Sequence, residues 1–185
     1  KLGGGQWLVA EADESDGSFL RLNPLMSIIT NIDADHLENY GNDFARVQAA
    51  FAEFLQRLPF YGLAVLCIDD PEVAALAART PRHVMSYGMS PQADVRAENV
   101  VQEGSRMRFT LRLPQGTSQE VVLALPGRHN VLNALAAAAV GWQLGVAPDA
   151  IARALEGFAG VGRRFNDLGE VTTASGAKVR IIDDY

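Results

Sequence analysis

The chain has 185 residues, of which 48% are hydrophobic and 21% charged, a composition typical of a globular protein with one good domain. The formal net charge of −6, with no basic stripe, argues against a protein that binds duplex nucleic acid. The single cysteine, Cys67, excludes a disulfide framework and favours a reducing, cytoplasmic setting. The longest apolar stretch, 134–140, is far shorter than the roughly 20 residues that a membrane-spanning helix needs.

The first predicted strand, residues 7–10, is followed at once by a cluster of carboxylates. Its apolar run predicts a buried parallel strand, and Glu11, Asp13, Glu14 and Asp16 come directly after it. The carboxyl ends of parallel strands are where α/β proteins place ligand chemistry. A solvated acidic loop that caps the next element is the simpler interpretation, and both interpretations stay open on these residues alone.

A second apolar, β-branched run, residues 26–32, ends in Asp33, Asp35 and His36. If the two strands are neighbours in a parallel sheet, they lie ~5 Å apart, so Glu11 and His36 can share one cation. A carboxylate and an imidazole, completed by water or phosphate oxygens, suit Mg²⁺ or Mn²⁺ better than a closed zinc site. A structural histidine is the alternative.

Helices and strands alternate from residue 44 to residue 87. The spacing predicts a helix over 44–58, a strand over 63–68, a helix that begins at Pro71 after two aspartates, and a strand over 83–87. This βαβα order predicts an α/β fold with a mostly parallel sheet flanked by helices.

The pattern changes after residue 93, where short alternating strands are separated by glycine turns. Strands are predicted over 95–101, 107–113 and 120–125, which indicates a small antiparallel meander attached to the α/β part. The arginines of the middle strand, Arg106, Arg108 and Arg112, lack an aromatic platform, so we interpret them as a solvated face.

A helix is predicted to begin after the break at Pro126 and Gly127 and to continue to Trp142. Asn130 is a good N-cap residue, and Asn133 lies one turn later on nearly the same face. Two carboxamides side by side offer donors and acceptors together, which suits the edge of a purine base. A cap plus one satisfied polar residue is the simpler interpretation of this pair.

The last part of the chain predicts a second helix, a glycine-rich loop and a hairpin. The helix begins at Pro148 and places Ile151, Ala154, Leu155 and Phe158 on one face. The loop over 157–162 is followed by paired arginines, which can hold phosphate or ribose. Residues 171–182 predict a hairpin with a tight turn.

Six stretches together resemble the Mur ligase family and extend over essentially the whole chain. They are EADESDGSFL (11–20), TNIDADH (30–36), LPFYG (58–62), GRHNVLNALAA (127–137), GVGRRF (160–165) and DDY (183–185). The resemblance implies a P-loop NTPase-like central ATP-binding domain over 1–166, lacking its P-loop segment, and the beginning of a C-terminal ligase domain over 167–185.

The resemblance also implies an activity. In this family ATP phosphorylates a substrate carboxylate, an amine attacks the acyl phosphate, and ADP and phosphate leave. The order of the pieces is most similar to the alanine-adding branch, whose substrates are UDP-N-acetylmuramate and L-alanine in peptidoglycan precursor synthesis. Phosphoryl transfer depends on positioning and charge neutralisation, which agrees with the candidate metal ligands and base contacts.

By resemblance, Glu11 and His36 bind the Mg²⁺ (or Mn²⁺) that neutralises the transferring phosphoryl group, and they are the candidate catalytic residues. The resemblance also implies nucleotide contacts, which are His129, Asn130 and Asn133 at the adenine and Arg164 and Asp184 at the ribose or phosphates.

The chain departs from the family pattern at two places. The phosphate-cradling glycine–lysine loop is absent, and the glycines at 3–5 lack the following Lys-Ser/Thr. We therefore expect a piece that starts partway through the central domain and has negligible ATPase or ligase activity alone. Several relatives carry a carbamylated lysine about fifteen residues after the metal histidine, where this chain has Phe51. The alanine-adding branch lacks that lysine too.

Two other functions stay open at this stage. One is the related ligase that reattaches recycled tripeptide to UDP-N-acetylmuramate, since the missing third domain selects the amino acid. The other is a nucleotide-binding module without catalysis. We expect a bacterial cytoplasmic location, small-molecule substrates and neither nucleic-acid nor membrane partners, and we keep a homodimer as an alternative to a monomer.

Overall fold

A computed structural model of the chain describes residues 4–161 and 166–183. Its centre is a six-stranded sheet in which the strands lie in the order in which they occur along the chain. The strands are β1 (Met26–Ile29), β2 (Leu63–Cys67), β3 (His83–Gly88), β4 (Val95–Glu103), β5 (Arg106–Arg112) and β6 (Ser118–Leu123).

The first four strands are parallel; helices connect the first three, and a short loop over residues 89–94 joins β3 to β4. Helix α1 (Phe44–Gln56) joins β1 to β2, and helix α2 (Pro71–Arg79) joins β2 to β3. Both helices begin at an aspartate whose side chain accepts a backbone N–H: Asp43 accepts from Ala45, and Asp70 accepts from Val73. Every residue of β2 is buried, as expected for a central parallel strand covered on both faces.

Strands β4, β5 and β6 form an antiparallel meander that continues the same sheet, because β4 also pairs in parallel with β3. A bulge between Glu98 and Val101 interrupts the β4–β5 register, and Asn99 has a left-handed φ of 54° there. The predicted α/β class with a mostly parallel sheet and a small antiparallel meander is therefore confirmed.

Two further helices, α3 (Arg128–Gln143) and α4 (Pro148–Glu156), follow the meander. Helix α3 packs on the face of the sheet that carries Val65 and Tyr87, whereas α1 and α2 cover the opposite face with Leu66. The predicted buried face of α4 is partly wrong, since Ala152 is buried while Ala154 and Phe158 are exposed.

The predicted buried strand over residues 7–10 is wrong. These residues form no strand, and Leu8 and Val9 are 91% and 92% exposed. A strand needs hydrogen-bonded neighbours, and no described strand pairs with this segment or with the outer edge of β1. Apolar composition alone therefore misassigned it. The strand predicted over 26–32 is real but ends at Ile29.

The predicted hairpin near the end of the chain is confirmed. Strand β7 (Asn166–Thr172) pairs antiparallel with β8 (Lys178–Asp183) in a separate two-stranded sheet. Among the described residues, no helix is both long enough and apolar enough to cross a membrane.

Candidate metal and nucleotide site

The acidic residues 11–16 form an ordered loop stabilised by its own side chains. Asp13 accepts a hydrogen bond from the Ser15 N–H at 2.9 Å, and Asp16 accepts one from the Ser18 N–H at 2.8 Å. These bonds hold the pKa of both aspartates below the ordinary value, so both carry full negative charge at neutral pH. Glu11 is exposed and makes no hydrogen bond or ion pair with any described residue, so its carboxylate is available to a ligand.

His36 begins the short 3₁₀ helix Leu37–Tyr40 with a left-handed φ of 52°. Its side chain is 55% exposed, and its Nδ1 atom lies 3.9 Å from an Oε1 atom of Glu38. An exposed imidazole with only one distant partner can accept a metal ion or a phosphate. The predicted role of His36 is thus compatible with its surroundings.

Two hydrogen bonds hold the segment after His36 against the acidic loop. The Asn39 side-chain amide donates to the Ser15 carbonyl oxygen at 2.8 Å, and the Tyr40 hydroxyl donates to the Glu14 carbonyl oxygen at 2.5 Å. The Ser15 hydrogen bonds are the main cause of the low pKa of Asp13, and His36 is the smallest contributor to it. The acidic loop and the segment after His36 are therefore neighbours at residues 14–15 and 39–40, although residues 7–10 form no strand.

A cleft of about 210 Å³ lies between the acidic loop and the carboxyl end of β1. At its rim, Thr30 donates to Asn31 at 2.9 Å, and the Asn31 amide donates to an Asp33 carboxylate oxygen at 2.7 Å. Phe51 also lines the cleft and packs against Phe19 with ring centroids 5.3 Å apart. The position where some relatives have a carbamylated lysine is therefore apolar here.

The donor set fits a hard divalent cation that keeps part of its water or phosphate shell. Glu11 provides a free carboxylate and His36 an exposed imidazole, and no group of three His, Cys, Asp or Glu side chains converges on one point within residues 4–161 and 166–183. A closed zinc site needs three or four protein ligands, whereas Mg²⁺ is usually held by one or two together with water and phosphate. The residues present thus fit Mg²⁺ or Mn²⁺.

The second group of predicted residues lies at the start of α3. Gly127 precedes the helix with φ 94° and ψ 144°, a region essentially confined to glycine. A Cβ atom at Gly127 would also lie 2.7 Å from the exposed His129 ring, which would have to shift, so the backbone conformation is the main reason for glycine here. His129 and Asn133 are exposed and Asn130 is half-buried, which leaves all three accessible.

The predicted N-cap role of Asn130 is wrong. The N-cap residue is Gly127, and Asn130 lies inside the first turn, where its side-chain amide donates to the Pro126 carbonyl oxygen at 2.6 Å. The side-chain carbonyl oxygen of Asn130 stays available to a ligand. No described hydrogen bond or ion pair joins residues 128–133 to the acidic loop, and the predicted ligands Arg164 and Asp184 lie outside the described residues.

Asn39 and Tyr40 are the site residues that sequence reasoning missed. The sequence gives only a weak indication of them, since Tyr40 lies four residues after the candidate metal histidine in a polar segment with the composition of a loop. Only the folded chain shows that both side chains reach back more than twenty residues to the acidic loop.

Comparisons with known proteins place the chain in a family. The Mur ligase middle domain matches residues 5–141. The chain is 99% identical over all its 185 residues to a UDP-N-acetylmuramate–L-alanine ligase of Stenotrophomonas maltophilia (strain R551-3), and 88% identical to one of Xanthomonas campestris pv. campestris (strain B100). It spans 39% of the length of each of these relatives.

Solved structures agree with this assignment. The UDP-N-acetylmuramate-alanine ligase MurC from Thermotoga maritima has a TM-score of 0.74 at 31% identity, covering 94% of this chain and 37% of that one. A MurF crystal structure from Acinetobacter baumannii has a TM-score of 0.74 at 28% identity, covering 95% of this chain and 36% of that one. Sequence and fold thus agree, and the chain belongs to the Mur ligase family through a match to its middle domain.

Proposed function

We propose that this chain is the nucleotide-binding part of an ATP-dependent ligase that joins L-alanine to UDP-N-acetylmuramate in peptidoglycan precursor synthesis. The observation that carries the metal-dependent chemistry is the contact between the acidic loop and the His36 segment. The names of relatives at 99% and 88% identity support the substrate pair and favour it over the tripeptide-recycling reaction.

In this proposal, Glu11 and His36 hold the divalent cation. When bound, Mg²⁺ neutralises negative charge on the phosphoryl group that ATP transfers to the substrate carboxylate. The exposed Glu11 carboxylate contributes charge, and the His36 imidazole contributes a neutral nitrogen donor. The aspartates of the loop are ionised at neutral pH, and they add to the negative potential that attracts a cation.

The start of α3 recognises the base in the same proposal. The Asn130 carbonyl oxygen, left over after its amide bonds to Pro126, accepts from the adenine amino group. Asn133 has both its donor and its acceptor available, and His129 lies beside them. Arg164 and Asp184 contact the ribose or phosphates. The division into an ATP-binding domain over 1–166 and a ligase-domain beginning over 167–185 stays a prediction, as do the cytoplasmic location and the homodimer.

The test of the metal site is made in a full-length ligase that carries this sequence. We expect Glu11→Ala and His36→Ala each to lower turnover by orders of magnitude and to weaken Mn²⁺ binding, measured by electron paramagnetic resonance with ATP present. The matched controls are Glu53→Ala and His83→Ala, since both residues are exposed and neither has a described hydrogen bond or ion pair with the acidic loop. Retention of turnover and Mn²⁺ affinity in both test variants would contradict the proposal and favour a nucleotide-binding module without catalysis.

The isolated 185-residue chain provides a second test. It lacks the glycine–lysine loop whose backbone N–H groups cradle phosphate in P-loop proteins. We therefore expect negligible ATP hydrolysis from this chain alone in a single-turnover assay. Hydrolysis near the rate of a full-length ligase would show that the remaining residues suffice.

A further inference from the structure

We propose that Asn39 and Tyr40 are positioning residues of the metal site, because their side chains set the separation between the loop that carries Glu11 and the segment that carries His36. This inference rests on the proposed function. Neither residue is assigned to bind the cation, ATP or the substrates. Their effect is transmitted through backbone carbonyl groups of the acidic loop.

The two bonds engage consecutive carbonyl groups of the acidic loop. Asn39 donates to Ser15 and Tyr40 donates to Glu14, whose oxygen also accepts the Gly17 N–H at 3.0 Å. The loop is internally stiff at this point, since Asp13 and Asp16 each accept a backbone N–H two residues later. A displacement of Ser15 or Glu14 therefore moves the hydrogen-bonded residues 13–18 together rather than one peptide group.

The aromatic ring of Tyr40 provides the fixed end of this connection. It packs on the cluster formed by Phe19, Ala50 and Phe54, and also on the cluster beneath α1 that includes Val47. Burial, followed by the charges of Glu14, Asp16 and Asp13, raises the pKa of the Tyr40 hydroxyl, so it remains a donor throughout the neutral range. A half-buried ring with its hydroxyl on the loop thus connects the core to the acidic loop.

The short helix Leu37–Tyr40 transmits this position to His36. The Asn39 N–H donates to the His36 carbonyl oxygen at 3.1 Å, and the Asn42 N–H donates to that of Leu37 at 2.7 Å. With its left-handed φ, His36 is held as the first residue of a closed turn. Residues 36–40 thus carry the imidazole at one end and both loop contacts at the other.

A purely structural role makes a different prediction. Loss of the Tyr40 hydroxyl would then lower stability without changing metal affinity. A positioning role predicts weaker metal binding with a folded protein, because an open two-ligand site depends on where its ligands are held. Loss of a group that orients metal ligands typically costs about 10- to 100-fold in metal affinity.

The experiment uses the full-length ligase with two variants. Tyr40→Phe keeps the half-buried ring and removes only the donor, and Asn39→Asp keeps the size and replaces the amide donor. The control is Tyr61→Phe, because Tyr61 is 68% exposed and its hydroxyl makes no hydrogen bond to any described residue. We measure Mn²⁺ affinity by electron paramagnetic resonance with ATP present, amide hydrogen exchange at Gly17, the KM for Mg²⁺ against kcat, and thermal unfolding.

We expect Tyr40→Phe to weaken Mn²⁺ binding about 10-fold, to raise the KM for Mg²⁺ more than it lowers kcat, and to speed exchange at Gly17. Tyr61→Phe should leave all of these unchanged. Unchanged Mn²⁺ affinity in both test variants, with Glu11→Ala and His36→Ala still losing it, would overturn this inference and leave the proposed function standing. Unchanged affinity in Glu11→Ala and His36→Ala would overturn both.

Discussion

The side-chain amide of Asn130 donates a hydrogen bond to the carbonyl oxygen of Pro126, four residues earlier, at 2.6 Å. This bond joins the first turn of α3 to the strand exit that precedes it. Asn133, one turn later, is exposed and makes no side-chain bond with any described residue. Of two similar side chains on one helix face, only that of Asn130 makes a hydrogen bond within the described part of the protein. Substitutions can therefore separate the effect on stability from the effect on ATP binding.

We expect Asn133→Ala to weaken ATP binding by about 1–3 kcal/mol, the cost of leaving a buried partner group unpaired, with no change in thermal unfolding. Asn130→Ala should lower both ATP affinity and stability, because it also removes the bond to Pro126. Isothermal titration with ATP and a thermal melt of the full-length ligase distinguish the two. Ala137→Ser, on the same exposed face, is the control. Equal ATP affinity in Asn133→Ala and the unaltered protein would remove Asn133 from the adenine site.

The covering of β2 by α1 and α2 gives a prediction about stability. Leu66 has no exposed surface and packs among residues of both helices. We expect Leu66→Ala to lower the free energy of unfolding by about 2–5 kcal/mol, through lost burial and the cavity that remains. Val101→Ala, at a position 51% exposed on β4, should change it by less than about 0.5 kcal/mol in the same urea titrations. Similar losses in the two variants would contradict the assigned core.

Glu98 gives a prediction about pH. Its carboxylate accepts from Arg112 at 2.8 Å and from Arg96 at 3.0 Å, and these bonds hold its pKa below the ordinary value of 4.5. The stabilisation from Glu98 is therefore fully present above pH 4.5 and disappears as the pH falls through its folded-state pKa. We expect Glu98→Gln to be less stable than the unaltered chain at pH 7 and equally stable in strong acid.

Urea titrations of both proteins over this pH range provide the measurement. Because the three side chains are partly exposed, added salt should shrink the difference at pH 7. A difference between the two proteins that is constant from pH 7 into strong acid would assign the loss in Glu98→Gln to packing rather than to charge.

Gly127 gives a prediction about backbone conformation. We expect Gly127→Ala to destabilise the chain by about 1–3 kcal/mol, because a residue with a Cβ atom is strained at this φ and ψ and also meets the His129 ring. The double variant Gly127→Ala/His129→Ala should recover the steric part only. Gly104→Ala is a useful comparison, since its φ is also positive but no atom lies within 4 Å of the added methyl group. Full recovery in the double variant would show that the backbone itself is not strained.

Helix starts and buried strands in this fold could be predicted from local sequence features. Asp70 before Pro71 predicts the start of α2, and the structure places the Asp70 carboxylate on the Val73 N–H as expected. The apolar run of β2 predicts a strand buried on both faces, which is confirmed. The helix start depends on neighbours within a few residues, and the buried strand depends on the high hydrophobicity of the whole run. Both properties can be seen in the sequence of this chain alone.

Other features depend on partners that a local pattern does not reveal. Residues 7–10 are as apolar as β2, but a strand also needs hydrogen-bonded neighbours, which local composition does not report. Asn130 has the ideal chemistry for an N-cap, yet Gly127 takes that position because its backbone can adopt φ 94°. Tyr40 lies in a polar segment that has the composition of a loop, and its bond to Glu14 spans twenty-six residues. The contacts that Asn39 and Tyr40 make with the acidic loop could thus not be predicted from local sequence, and the roles of Glu11 and His36 stay predictions.

The junction between β3 and β4 is narrow, with only Tyr87 opposite Val95 and Gly88 opposite Arg96 in register. Helix α3 lies across this junction and contacts β2, β3, β4 and β5. The helix therefore packs against both the parallel and the antiparallel part of the sheet and connects them into one cooperative unit. A nucleotide that binds the first turn of α3 would therefore restrict motion on both sides of the β3–β4 junction. We expect nucleotide binding to slow amide hydrogen exchange in the distant meander as well as at the pocket itself.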